Sequence, residues 1–342
     1  MFGADELGLD LGTSTIHVVL KKKGIVLSEP AYVTYDRQTR QMLAVGEDAR
    51  LMYGRTPGNI VVERPFREGW VHSFDLVASM LRYLIRQVTG RRGLRPRMLL
   101  AMPGALTPSE RQTLVDVVVE AGAREAVLVD ESVASAIGAG LDIGQQYGRM
   151  NVDIGGGRTN VSVYSLGHQV LWDILENAGD RFDDAIVDYM RRRHNLLIGE
   201  RTAEQLKMDI GSAMDKGVSV TAEAYGRSLV TGLPRSVTVD TTEMTEALDE
   251  ALRELVIALR RTLERTPPEL ASDIFDAGIT LSGGGAKLYG LDRLISEQLG
   301  IWATVADEAD LCTAHGRENL LNDPDKYQNI DLFSERRWNR GS

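Results

Sequence analysis

The chain has 342 residues, 43% of them hydrophobic and 26% charged, with a formal net charge of −10. Its length and apolar fraction are enough for two core-bearing lobes, and its acidic balance excludes sequence-independent nucleic-acid binding, which needs a basic surface. A single cysteine, Cys312, excludes an intramolecular disulfide and fits a reducing cytoplasm, where it is expected to act as a small buried hydrophobe.

The opening residues, Met1 to Glu6, have neither a basic n-region nor an apolar h-region, so no signal peptide is expected. No uninterrupted apolar run reaches the ~18 residues that a membrane-spanning helix needs. An internal repeat starts at once. Asp10, Gly12, Val18 and Gly24 recur at one constant offset as Asp153, Gly155, Val161 and Gly167. Each copy reads as a strand, a Gly/Thr turn, a second strand, a glycine turn and a third strand, the third strands falling at 25–27 and 169–174. Residues 97–102 read as a buried strand. A helix is expected over 108–121, with Thr107 as N-cap, Pro108 at N1, Glu110 completing a capping box and Gly122 as the stop. A second helix is expected over 242–263, ended by Thr266-Pro267-Pro268. The chain is therefore a duplicated α/β protein, with a cleft expected between the copies.

One Asp-x-Gly turn means little, because Asp and Gly make hairpins in many proteins. Two copies in register suggest a phosphate clamp. A glycine hairpin presents successive backbone N–H groups that no Cβ shields, and Thr13, Ser14, Thr15 and Thr159 add hydroxyl donors. Asp10 and Asp153 would repel phosphate directly, so they imply a cation between, and Mg²⁺ held through its waters fits. The other nucleotide folds do not fit. No Gly-x-x-x-x-Gly-Lys-Ser/Thr run is present. Gly155-Gly156-Gly157 has Asn160 where a dinucleotide fingerprint needs its last glycine, and a strand, not a helix, follows it. The five histidines show no metal-ligand spacing.

These residues resemble the superfamily of actin, sugar-kinase and heat-shock-chaperone ATPases, and more closely the bacterial actins of the MreB/Mbl family. The likeness extends to stretches without catalytic chemistry. Among them are Gly54-Arg55-Thr56-Pro57-Gly58-Asn59-Ile60-Val61, Leu229-Val230-Thr231-Gly232-Leu233-Pro234-Arg235, Glu264-Arg265-Thr266-Pro267-Pro268-Glu269-Leu270 and Ser282-Gly283-Gly284-Gly285-Ala286. The resemblance implies an actin-like ATPase fold: two duplicated ribonuclease-H-like lobes with small inserted subdomains around a nucleotide cleft. The first lobe would span 1–147 with an insert near 33–65, the second 148–314 with an insert near 181–240, and 315–342 would return to the first lobe.

Residue by residue, the resemblance gives Asp10, Gly12, Thr13 and Ser14 to a first phosphate loop and Asp153, Gly155, Gly156 and Gly157 to a second, with Thr15, Arg158 and Thr159 beside them as further candidate contacts to the nucleotide. Asp10 and Asp153 would hold Mg²⁺ through water. Glu131 would orient the attacking water, Glu204 and Lys207 would hold the adenosine, and Gly283, Gly284 and Gly285 would let the nucleotide approach. Each also has a plainer reading. Alone, Glu131 reads as a helix cap or ion-pair partner, Glu204 and Lys207 as a solvated pair one turn apart, and 283–285 as a tight turn.

The chain departs from the family pattern at Thr15, Ile16, Arg158, Ser132, His315 and Glu318, changes that bear on hydrolysis more than on binding. The family resemblance implies a weak ATPase that polymerises into paired protofilaments on the inner face of the cytoplasmic membrane and works with the cell-wall elongation machinery. Membrane contact would fall to Met1 and Phe2 and to the basic loop bearing Arg91, Arg92 and Leu94, which reads equally as a solvated loop. The alternatives are a small-molecule kinase of the same superfamily, a chaperone ATPase domain and a hydrolysis-poor filament partner.

Overall fold

A computed structural model describes residues 6–67, 70–90, 95–104 and 106–332, and it divides into two units. The first comprises Met1–Gln145, Leu166–Gln169 and Leu311–Ser342. Its sheet contains β1 (Glu6–Leu11), β2 (Thr15–Leu20), β3 (Gly24–Pro30), β4 (Arg97–Met102) and β5 (Glu125–Asp130) in the order β3-β2-β1-β4-β5. β1, β2 and β3 form an antiparallel meander, whereas β4 runs parallel to both β1 and β5. Alternation along β1 sends Leu7, Leu9 and Leu11 into the core with Ile16, Val18, Met98 and Leu100, and leaves Gly8 and Asp10 on the opposite face. Its helices include α1 (Phe74–Thr89), α2 (Pro108–Glu120) and α3 (Glu131–Gly138). α2 starts at the expected capping box, with Thr107 Oγ1 accepting from the Glu110 amide and the Glu110 carboxylate accepting from Thr107 N–H at 2.7 Å.

The second unit comprises Gln146–Ser165 and Val170–Asp310. Its main sheet is built from β6 (Arg149–Ile154), β7 (Thr159–Ser165), β8 (His168–Leu175), β9 (Ile279–Ser282) and β10 (Ala303–Val305), in the order β8-β7-β6-β9-β10. β6 is antiparallel to β7 and parallel to β9, which is parallel to β10. Strand for strand, this is the order of the first sheet. All seven residues of β7 are buried, so both of its faces are covered. The core packs Val152, Ile154, Val161 and Val163 against α4 (Gly179–His194), α5 (Glu200–Ile210) and α6 (Thr241–Arg265) through Phe182, Leu206 and Leu252. α6 begins at an Asp240–Glu243 capping box and ends before Pro267. Each fully buried Leu, Val or Phe is worth about 1.5–3 kcal/mol, so each core is large enough to hold its own sheet.

After the second unit the chain returns to the first as α7 (Cys312–Asn322), which covers the free face of β1 and β2. Ala314 and Leu321 pack on Val19 there, and Cys312 is fully buried. α7 also crosses α3 at a distance that only glycine permits. A Cβ on Gly138 would lie 1.7 Å from the Cys312 carbonyl oxygen, and one on Gly316 would lie 1.8 Å from that of Ala134. No helix among the described residues is long and apolar enough to cross a membrane, and no metal-binding cluster of His, Cys, Asp and Glu occurs among them.

Candidate functional site

In parallel α/β sheets, ligand-binding residues collect beyond the carboxyl ends of the strands. Both units put candidate residues there. In the first, Asp10 is the penultimate residue of β1, and the turn 12–14 carries the chain into β2. A Cβ at Gly12 would meet the Thr15 carbonyl oxygen at 2.3 Å, so this hairpin closes as tightly as it does only with glycine. Thr13 is buried, and the Ser14 carbonyl accepts the Ala31 N–H at 2.9 Å, which fixes the turn against the following strand. Two strands away, β5 ends at Asp130 and α3 begins at Glu131. The cap is Asp130, whose Oδ1 accepts the Ser132 N–H at 2.9 Å. Glu131 is thus not the cap, and as the first helical residue it lies where the helix dipole favours a carboxylate.

The second unit repeats the arrangement. Asp153, buried, lies opposite Ser282 in register at the end of β6. The hairpin that follows is closed by Gly155 N–H donating to the Arg158 carbonyl at 2.9 Å. The Gly155 and Gly156 carbonyls accept the N–H groups of Gly179 and Asp180 at 3.0 and 2.7 Å, fastening the loop to the start of α4. The turn 283–285 comes from β9 and rests on β6. Gly283 has φ +82°, and a Cβ there would lie 2.6 Å from Asp153 Oδ1 and 2.3 Å from the Ile154 carbonyl oxygen. This turn can therefore reach Asp153 only as glycine.

Sequence similarity follows the same plan. The family description "MreB/Mbl protein" matches residues 4–329. The chain belongs to the MreB/Mbl family. It is 44% identical to the cell shape-determining protein MreB of Escherichia coli over 97% of both chains. It is 42% identical to the cell shape-determining protein Mbl of Bacillus cereus over 98% of this chain and 99% of the relative. Among solved structures it is similar to MreB5 of Spiroplasma citri bound to ADP, with a TM-score of 0.90, 31% identity, and 95% and 98% of the two chains covered. The fold is the α/β actin-like fold that the family resemblance implied.

Two residues of this MreB/Mbl chain have different neighbours from those the sequence suggests. Thr159 is fully buried, and its hydroxyl donates to the Asn177 carbonyl at 2.6 Å. In this structure its one proton therefore goes to a carbonyl near the start of α4. Lys207 shares a face of α5 with Glu204, yet its Nζ donates to Asp183 Oδ2 at 2.9 Å and to the Gly179 carbonyl at 3.0 Å. Asp183 and Gly179 therefore join the candidate site. Burial pushes the Asp183 carboxyl up to about 7, against the pull of Lys207, with the charge on Glu204 raising it further. Burial dominates because desolvation penalises the charged form more than one ammonium restores it.

A third residue was invisible in the sequence. Arg317 on α7 is fully buried, and its Nη2 lies 2.9 Å from Asp10 Oδ2. That approach is off the angle of a hydrogen bond, and Nε, Nη1 and Nη2 have no hydrogen-bond partner. Arg158, Thr15, Glu204 and Gly284 lie at partly or fully exposed positions. Met1, Phe2, Arg91, Arg92 and Leu94 fall outside the described residues.

Proposed function

We propose that this chain is a cell shape-determining bacterial actin that binds Mg²⁺-ATP. In this reading it polymerises into paired protofilaments on the inner face of the cytoplasmic membrane and organises the cell-wall elongation machinery, hydrolysing ATP slowly. The observation that carries the reading is the duplicated sheet with an Asp-Gly hairpin at the carboxyl end of β1 and again of β6, in a chain of this family. Solved MreB5 of Spiroplasma citri bound to ADP and to AMPPNP supports the nucleotide.

The donor set fits the expected ligands. Asp10 and Asp153 are oxygen donors of the kind that Mg²⁺ takes through water, and each stands beside a turn from which a Cβ would be excluded. Bound Mg²⁺ would supply charge neutralisation for the phosphates. The chain's own part begins with the backbone N–H groups of Gly12, Thr13, Ser14, Gly156 and Gly157, which bind phosphate oxygens from tight, preorganised hairpins. Arg158 adds a cation and the hydroxyls of Thr13, Ser14 and Thr15 add donors. Glu131 accepts a hydrogen bond from the attacking water and orients it. Lys207, held by Asp183, works with Glu204 on the adenosine, and 283–285 leave room for it.

ATP-dependent pelleting of the purified protein, with electron microscopy on anionic liposomes, tests the reading. Polymer with ATP and none without nucleotide is expected. No polymer in any nucleotide, with ADP released only when a sugar is supplied, would replace it with the small-molecule kinase. Polymer without phosphate release would favour the hydrolysis-poor filament partner.

A further inference from the structure

We propose that Arg317 is a built-in counter-cation of Asp10, and that it sets how strongly nucleotide binding by this chain depends on a divalent ion. The inference rests on the reading of Asp10 as a metal-facing carboxylate and goes beyond it.

Arg317 is among the largest fully buried side chains of the protein. A guanidinium does not shed its proton in proteins, so the charge is permanent. Burying it without compensation is among the costlier things a fold can do. The compensation present is Asp10, at 2.9 Å. The space is made by Gly8, two residues before Asp10 on the same face of β1, where a Cβ would come within 3.2 Å of Arg317 Cβ. The close crossing of α7 on α3 at the adjacent Gly316 holds the helix in place.

Two consequences follow for one carboxylate shared by two cations. Without a divalent ion, a bare Asp10 would repel a polyphosphate; Arg317 cancels that repulsion. With the ion present, Arg317 competes for Asp10 and weakens the ion's hold. Both effects flatten the dependence on metal. A neighbouring opposite charge changes a carboxylate's affinity for a competing cation by about tenfold or more.

The experiment is ADP binding by calorimetry, in excess EDTA and in Mg²⁺, for the wild type and for Arg317→Met, with Arg317→Lys as the charge-retaining control. ADP avoids turnover. The ratio of Kd without metal to Kd with Mg²⁺ should rise about tenfold or more in Arg317→Met and return toward wild type in Arg317→Lys. Mn²⁺ binding to the ADP-loaded protein, read by electron paramagnetic resonance, should tighten in Arg317→Met. An unchanged ratio in folded Arg317→Met, with ADP still bound, overturns the inference alone. Failure of the wild type to bind ADP under either condition overturns the proposed function with it. Where Arg317→Met does not fold, the wild type still decides. Its own ratio should stay within roughly tenfold, and a loss of about a thousandfold in EDTA would refute a resident counter-cation.

Discussion

Gly316→Ala is, after Gly138→Ala, the most severe glycine-to-alanine change among the described residues. The new methyl would sit 1.8 Å from the Ala134 carbonyl oxygen and 2.6 Å from its carbon, both backbone atoms that no rotamer change can move. Restoring an ordinary contact of about 3.5 Å requires α7 and α3 to separate by roughly 1.5 Å. A gap of even 0.5–1 Å forfeits about a quarter to a half of each dispersion contact, and α7 buries Cys312, Ala314, Leu320 and Leu321. Overpacking alone costs about 1–3 kcal/mol, so with these losses the expected destabilisation is about 3 kcal/mol or more. At about 2–4 °C per kcal/mol for a domain of this size, the melting temperature should fall by ~6–12 °C. The assay is thermal melting followed by circular dichroism, with Gly58→Ala as control because a Cβ there meets nothing within 4 Å. If Gly316→Ala melts within ~2 °C of the control, the helices are not in backbone contact and the reasoning fails.

Other expectations follow from single observations. Thr107→Ala removes one half of the α2 capping box and should cost about 1 kcal/mol in urea unfolding; an unchanged midpoint would show the cap to be idle. Asp183→Asn tests the raised carboxyl. The folded state keeps its proton up to about 7 while the unfolded chain ionises near 3.8, so the folded state binds more protons across that window and wild-type stability falls as pH rises through it. The stability of Asp183→Asn relative to wild type should therefore climb between pH 4 and pH 7, by no more than about 4 kcal/mol. A difference that is flat with pH would refute it. Glu131→Gln should lower phosphate release by about 10²-fold or more and leave ADP affinity unchanged; equal loss of binding would assign Glu131 a structural role.

What was readable in the sequence was local. The Asp-x-Gly hairpins, the capping box at Thr107 and the break at Pro267-Pro268 each depend on residues within a turn or two of one another. The structure has β4 at the residues read as a buried strand, and α2 and α6 within one or two residues of the expected bounds. The repeat added topology, because two copies of one strand-turn pattern build two sheets of one order. What stayed hidden were partners separated along the chain. Lys207 finds Asp183 on another helix, Thr159 spends its hydroxyl on Asn177 across two strands, and Arg317 meets Asp10 from near the other end of the described chain. Ion pairing and side-chain-to-carbonyl bonds leave no periodicity, so no pattern along the sequence betrays them.

The departures from the family pattern around residue 316 are better understood from α7 than from the sequence. Successive residues of this one helix face three different elements. Gly316 lies against α3, which begins with Glu131; Arg317 reaches Asp10 on β1; and Glu318 lies 3.5 Å from where a Cβ on Gly24 would stand, at the turn between β2 and β3. His315 Nδ1 and Glu318 Oε2 are 3.5 Å apart, so the two replaced residues face one another one turn apart. A displacement of α7 therefore changes the setting of Glu131 and of Asp10 together, with no other element of the unit intervening. That coupling makes a single experiment informative. In Gly316→Ala, a weakened response of ADP affinity to Mg²⁺ alongside the lower melting temperature would mean that the helix positions the carboxylate as well as neutralising it. A lower melting temperature with an unaltered Mg²⁺ response would mean that Arg317 follows Asp10 through the shift, and that the ion pair, not the helix crossing, governs the metal.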